Sequence, residues 1–333
     1  MPCFHPRKAL LDWDESENKY KVRFLSSLGQ YTSEHPYNRY VEIPCGKCIG
    51  CLEMRAKEWA KRCQLEARYY PGTTYFLTLT YEDDFLDYVP AFSKVDPDCC
   101  SLVPTLRKEH FIKFIRSLRY DRHYPQVGLR FFGCGEYGPT FGRPHYHMIL
   151  FNLKLPTNPE SPADLQPILG QEGYFKSSYI EKHWKYGFHS IFPYEYATGK
   201  YIAKYLVKDS WTSNDDVVDE REKPFLHMSR NPGIGRTYFE DHREELLKYD
   251  SIAIPSEQGA FFTSMPDYYL RLIRGNDFDE LSMSDWLTIK TIRSFRNECD
   301  RDSLLRDNDI DYGRYLKRAE EVALSQKRAR KNL

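Results

Sequence analysis

Residues 73–81, TTYFLTLTY, alternate apolar with other positions and are rich in β-branched and aromatic side chains, which predicts a strand. Before it, residues 52–70 run without proline. Ala56, Ala60, Cys63 and Ala67 fall on one side with Trp59 beside them, a helix closed by Pro71–Gly72. Residues 1–50 read as irregular, rich in Pro, Gly and Tyr, and end at PCGKCIGC. An acidic, Pro-containing loop is expected to about residue 104. A second amphipathic helix follows, with Thr105 as its N-cap and Phe111, Phe114, Ile115 and Leu118 at helical spacing. Residues 129–137 and 145–151 read as two strands joined by the turn GPTFGRP, a hairpin. Residues 152–173 are loop-like, 187–195 offer another strand, and a helix runs to about Lys208. Beyond Asp209 the pattern weakens into short segments and a C-terminal helical stretch, and no internal repeat is visible.

Hairpin-linked strands interleaved with helices predict an α+β fold, a central antiparallel sheet with flanking helices. Three parts are expected: a Cys-rich irregular segment over 1–51 packing on the core, a central domain over 52–210, and an accessory region over 211–333.

Charge adds a local rather than a global signal. The 333 residues carry 48 basic and 48 acidic side chains, so no overall field announces nucleic acid. The last twenty, RYLKRAEEVALSQKRARKNL, hold seven Lys/Arg against two acids, a solvated helix face and tail or a patch for phosphates. The 26 tyrosines and 20 phenylalanines suit a sheet and can also stack on bases. The start MPCFHPRKALLDWDE lacks an apolar central region, and no run approaches the ~18 apolar residues of a membrane span. A soluble intracellular protein with no membrane partner is expected. Its nine cysteines are then thiols or metal ligands rather than disulfides.

The stretch GRPHYHMILF puts His145 and His147 two apart, on one side of a strand. Glu136 precedes them on the partner strand, near them if the register allows. They are either histidines at a sheet edge or, with Glu136, a site for a divalent ion with open positions, such as Mn²⁺, with Mg²⁺ tolerated. In YIAKYLVK, residues 201–208, Ile202, Ala203, Leu206 and Val207 make one helical face, and Tyr201, Lys204, Tyr205 and Lys208 make the opposite stripe. The stripe is a solvent-facing amphipathic surface or a pair of nucleophiles. Neighbouring lysines favour a tyrosinate, and a metal at the histidines would polarise a phosphoryl oxygen. Together the two motifs point to phosphodiester cleavage by covalent catalysis.

Cys45-x₂-Cys48-x₂-Cys51 has knuckle-like spacing for a structural Zn²⁺, or else these are reduced cysteines packed inside. Cys3 with neighbouring His5, Cys63 and Cys134 are candidates for a fourth ligand, and Cys3 fits best. An iron–sulfur cluster ranks behind both readings. NPGIGR (231–236), His183, His189 and YEDDF (81–85) read as turn, structural or solvated residues.

PHYHMILF resembles the histidine–hydrophobic–histidine motif of the HUH endonucleases, and YIAKYLVK resembles the two-tyrosine motif of rolling-circle replication initiators. IPCGKCIGC, CGEYGPTFGRPHYH and MSRNPGIGR stand in the order seen in the replication initiators of gokushoviruses, within the Microviridae. The likeness spans roughly residues 1–240 and implies an HUH-type sheet carrying the histidines. It implies nicking of single-stranded or locally melted origin DNA in the cytoplasm of a bacterial host, leaving a 5′-phosphotyrosine and a free 3′-OH. Tyr201 and Tyr205 match the nucleophiles, Lys208 the lysine that follows, His145 and His147 the motif histidines, and Glu136 a third-ligand position. No Gly-rich loop ending in Lys-Ser/Thr is present, so unwinding and synthesis are expected from host helicase and polymerase. The alternatives are a non-catalytic zinc-dependent nucleic-acid-binding protein and a related transposase or relaxase.

Overall fold

Alternation in YFLTLTY turns Tyr75, Leu77, Leu79 and Tyr81 to one side of strand β4 (Tyr75–Tyr81) and Phe76, Thr78 and Thr80 to the other. A computed structural model describes residues 3–14, 16, 19–24, 39–93, 100–138, 141–157, 164–195, 217–256, 259–274, 280–308 and 311–331. Two compact units emerge, Met1–Arg55 with Lys290–Leu333, and Ala56–Ile289.

The larger unit holds a seven-stranded antiparallel sheet. The predicted hairpin is β7 (Arg130–Tyr137) and β8 (Pro144–Phe151), and β8 pairs with β4. Next comes β11 (Gly187–Pro193), then the short β10 (Phe175–Lys176) and β9 (Gln166–Pro167). On the far side β13 (Phe225–Met228) pairs with β7.

The two faces are covered differently. On one, Leu77, Leu79, Tyr81, Tyr146, Met148 and Leu150 pack with Phe111, Phe114, Ile115 and Leu118 of α2 (Lys108–Arg119) and with Trp184. On the other, Phe76, Phe132, Ile149 and Phe151 meet Cys63 of α1 (Ile49–Ala67), with Trp59 stacked on Phe132 at 4.7 Å. Helix α1 covers this face at the Phe151 end of β8, so the histidines at its start lie beyond that apolar cluster.

The expected acidic loop contains two strands, β5 (Asp87–Ser93) and β6 (Cys100–Thr105), in a three-stranded sheet with β12 (Val217–Asp219). Its prolines look like loop markers, but Pro104 lies in an edge strand, where a missing N–H costs no ladder bond. Thr105 is not the cap of α2, a position held by Arg107. Its hydroxyl instead accepts the Glu222 N–H at 2.9 Å.

The described chain beyond the sheet packs back on α1. Tyr238 and Phe239 of α4 (Arg236–Asp241), Leu246 of α5 (Arg243–Tyr249) and Tyr269, Leu270 and Ile273 of α6 (Asp267–Arg274) join Leu65 of α1 in a second core. Helix α1 is thus buried on two sides, which ties this region into the sheet unit. The hairpin β14 (Ile252–Ser256) and β15 (Gly259–Thr263) contributes Ile252 and Ile254 to the same core.

In the smaller unit, the segment expected to be irregular carries β1 (Arg7–Asp14), β2 (Lys19–Phe24) and β3 (Arg39–Ile43), paired β2-β1-β3. Charged residues mask the strand pattern, and cross-strand ion pairs, such as Arg23 with Asp12 at 2.6 Å, satisfy them. The C-terminal helical stretch is α7 (Glu280–Asn308) and α8 (Tyr312–Lys331). Glu320 of α8 meets His5 Nε2 at 2.7 Å. Among the described residues no helix is long and apolar enough to cross a membrane.

Candidate functional site

The register settles how the histidines relate to Glu136. Glu136 lies opposite His145 and Cys134 opposite His147 across the hairpin, while Thr80 and Thr78 lie opposite the same two histidines on β4. Directly opposed residues share a face, so His145, His147, Glu136, Thr78 and Thr80 are all on the side that α1 covers only in part.

Both imidazoles are braced from β4. Thr78 Oγ1 is 3.0 Å from His147 Nδ1, and Thr80 Oγ1 is 3.1 Å from His145 Nδ1. With Nδ1 held by a hydroxyl, Nε2 is the edge each ring offers to a ligand. His147 Nε2 stands 3.2 Å from Glu136 Oε1, and the two side chains are 9% and 7% exposed. A buried carboxylate needs a partner of this kind, a cationic imidazole or a metal ion. His145 is less buried, its ring centroid 6.3 Å from that of His147 and inclined by 37°. Two imidazole nitrogens and a carboxylate oxygen on one surface suit a divalent ion that keeps open positions.

Four supporting residues were not singled out from sequence. Thr78 and Thr80 repeat the two-residue spacing of the histidines on a paired strand, a signal that the antiparallel register turns into contacts. Gly138 begins the β7–β8 turn, its N–H donating to the Arg143 carbonyl at 2.8 Å. A Cβ there would stand 3.1 Å from His145 Nε2. Arg143 donates to Asp83 Oδ1 and to the Tyr81 carbonyl, each at 2.5 Å, fastening the turn to the chain after β4. We expect Gly138→Ala to displace the His145 ring and weaken Mn²⁺ binding by about tenfold, measured by calorimetric titration, with the melting temperature little changed.

Tyr201, Lys204, Tyr205 and Lys208 lie outside the described residues. The minor candidates have local roles. Asp121 Oδ2 accepts His183 Nε2 at 2.8 Å and Lys182 Nζ at 3.1 Å. His183 ends α3 (Ser178–His183). The Ser177 N–H donates to His189 Nε2 at 2.9 Å, and burial holds His183 and His189 below the usual imidazole range. NPGIGR packs against α1, with Arg62 Nε donating to the Ile234 carbonyl at 3.0 Å.

The cysteines form a separate cluster in the smaller unit. The sulfurs of Cys3, Cys45, Cys48 and Cys51 all lie within 4.8 Å of one another and could hold a metal ion. Among the described residues no other set of three or more His, Cys, Asp or Glu side chains is gathered so closely, and the histidine–glutamate set is more open. Cys63 and Cys134, weighed as fourth ligands, are instead buried at the sheet. Burial pushes Cys3 up and Cys51 to about 12. At Cys45 burial acts in the same sense, but bonds from the Cys48 and Lys47 N–H groups and from the Cys48 and Cys3 thiols outweigh it, to about 6.

The family of replication-associated proteins ORF2/G2P matches residues 74–210. The chain is 35% identical over 287 residues to the replication-associated protein ORF2 of Spiroplasma virus 4, covering 84% of this chain and 82% of that protein. The chain belongs to this family of phage replication-associated proteins. It is also 27% identical to the replication-associated protein ORF4 of Chlamydia phage 1, over 80% of this chain and 63% of that one. With the replication-associated protein VP4 of Bdellovibrio phage phiMH2K it shares 28% identity over 68% of this chain and 67% of that one. No solved structure matches the chain. The family match spans β4 to β11, His145, His147 and Glu136, and the segment with Tyr201 and Tyr205.

Proposed function

We propose that this replication-associated protein is a rolling-circle initiator that nicks single-stranded or melted origin DNA with a tyrosine nucleophile. The observation carrying this reading is the pair of threonine-braced histidines beside the buried Glu136, on the sheet face that α1 leaves partly open.

His145, His147 and Glu136 would hold a divalent ion, Mg²⁺ or Mn²⁺. When bound, that ion supplies Lewis-acid polarisation of the scissile phosphoryl oxygen. The hydroxyl of Tyr201 or Tyr205 gives up its proton and forms an O–P bond, the P–O3′ bond breaks, and the 3′ oxygen takes up a proton. The products are a 5′-phosphotyrosyl ester and a free 3′-OH that a host polymerase extends. Lys204 and Lys208 favour the tyrosinate. The second tyrosine accepts a strand while the first still holds one, which allows rejoining. Phe188, 56% exposed and opposite Thr80 on β11, offers a base a stacking platform on the same face.

The test mixes the full chain with single-stranded origin DNA and Mn²⁺ or Mg²⁺ and looks for a denaturation-resistant adduct. Tyr201→Phe, Tyr205→Phe and the double variant run alongside. A metal-dependent adduct that disappears only in the double variant supports two interchangeable nucleophiles, and loss in one single variant assigns the first attack. No adduct, with metal and DNA still bound, overturns the reading and leaves a binding protein.

A further inference from the structure

The sequence favours Cys3 as the fourth partner of Cys45-x₂-Cys48-x₂-Cys51, and the fold brings it there. Pairing of β1 with β3 returns the chain start to the β3–α1 connection, with Arg7 opposite Ile43. That places Cys3 beside the knuckle, where its sulfur accepts the Cys45 N–H at 3.2 Å. Gly46 takes φ +75°, a left-handed conformation that lets the chain turn between Cys45 and Cys48. The Cys48 N–H then donates to Cys45 Sγ at 3.3 Å, and the Phe4 N–H to Cys48 Sγ at 3.4 Å. Cys51 enters from the first turn of α1.

The distances decide among chemistries. A tetrahedron of thiolates around zinc, with Zn–S bonds of about 2.3 Å, has edges of about 3.8 Å. The Cys45–Cys51 and Cys3–Cys48 sulfurs are each 3.9 Å apart, and no pair in the set exceeds 4.8 Å. A disulfide requires about 2.05 Å. An iron–sulfur cluster would place several iron and sulfide atoms between the thiolates and force them farther apart. The gap fits a single ion.

We propose that Cys3, Cys45, Cys48 and Cys51 bind one zinc ion as a tetrathiolate structural site. Four protein ligands fill the tetrahedron and leave no position for water or substrate, so the ion acts on the fold rather than on the reaction. It fastens three stretches to one point: the segment before β1, the β3–α1 connection and the start of α1. Such a fastener suits a small sheet unit, where Phe4, Ala9 and Leu10 are buried among the described residues beside the site. This inference is independent of the nicking reading.

The full chain, purified without chelator and dialysed, should contain about one zinc per chain by elemental analysis, released when a mercurial modifies the thiols. Cys3→Ser and Cys51→Ser should each lose most of it. Cys100→Ser and Cys299→Ser, at exposed thiols, should retain it, as should His147→Ala. Should the ligand variants fail to fold, cobalt loaded into the unaltered chain decides, since four thiolates give intense visible absorption and sulfur-to-cobalt charge transfer. Absence of zinc from protein made in zinc-supplemented medium overturns the proposal. So would iron at the site, a cobalt spectrum of fewer than four thiolates, or folded ligand variants that keep wild-type zinc.

Discussion

His147→Ala should lower metal-dependent nicking of single-stranded origin DNA by about 100-fold or more, a loss of at least ~2.7 kcal/mol of transition-state stabilisation. Two effects act together. One of the three proposed ligand side chains disappears, and Glu136 loses the imidazole 3.2 Å from its carboxylate. Thr78→Val separates bracing from ligation. The ring stays, its Nδ1 loses the hydroxyl at 3.0 Å, and activity should fall by roughly 10–100-fold, with partial recovery at high Mn²⁺. Gel assays across a Mn²⁺ titration, with circular dichroism to confirm the fold, make the comparison. Wild-type nicking by His147→Ala would remove these histidines from the reaction.

How far the sequence reveals the site depends on the distance over which each signal acts. The pattern of residues 129–151 shows the hairpin, because alternation and turn residues are local, and two-residue spacing suffices to put His145 and His147 on one face. The threonine braces need the β4–β8 register, a pairing across 65 residues or more that no local pattern carries. Strands β1, β2, β5 and β6 escape the reading for another reason. Their charges and prolines are the usual marks of loops, and the edge position of β6 and the ion pairs between β1 and β2 fit them into sheets only once the strands are paired. Cys3 lies 42 residues from Cys45, and the sequence only ranks it first among several candidates, while the pairing of β1 with β3 brings it to the knuckle.

A larger loss of stability should come from Glu66, a charge with no pattern around it in the sequence. On α1 it accepts from Arg130 Nε of β7 and from the Gly235 N–H at 2.6 Å, while Arg130 Nη2 donates to the Pro232 carbonyl at 2.8 Å. The pair is buried and connects three things: the helix, strand β7 and the NPGIGR loop. Deleting one member leaves the other charge buried without compensation. Glu66→Ala should therefore cost about 3–5 kcal/mol, a melting shift of roughly 6–20 °C for a unit of this size. Arg130→Met should lose a similar amount. The double variant Glu66→Met/Arg130→Met should lose less than the sum by about 1–3 kcal/mol, since no lone charge remains, although the Gly235 N–H and Pro232 carbonyl still lack partners. Calorimetry on the full chain measures the shift. If Glu66→Ala melts within about 1 °C of wild type, the pair is not what holds α1 and the NPGIGR loop to the sheet, and the apolar cluster of Cys63, Phe76, Phe132 and Ile234 does so alone.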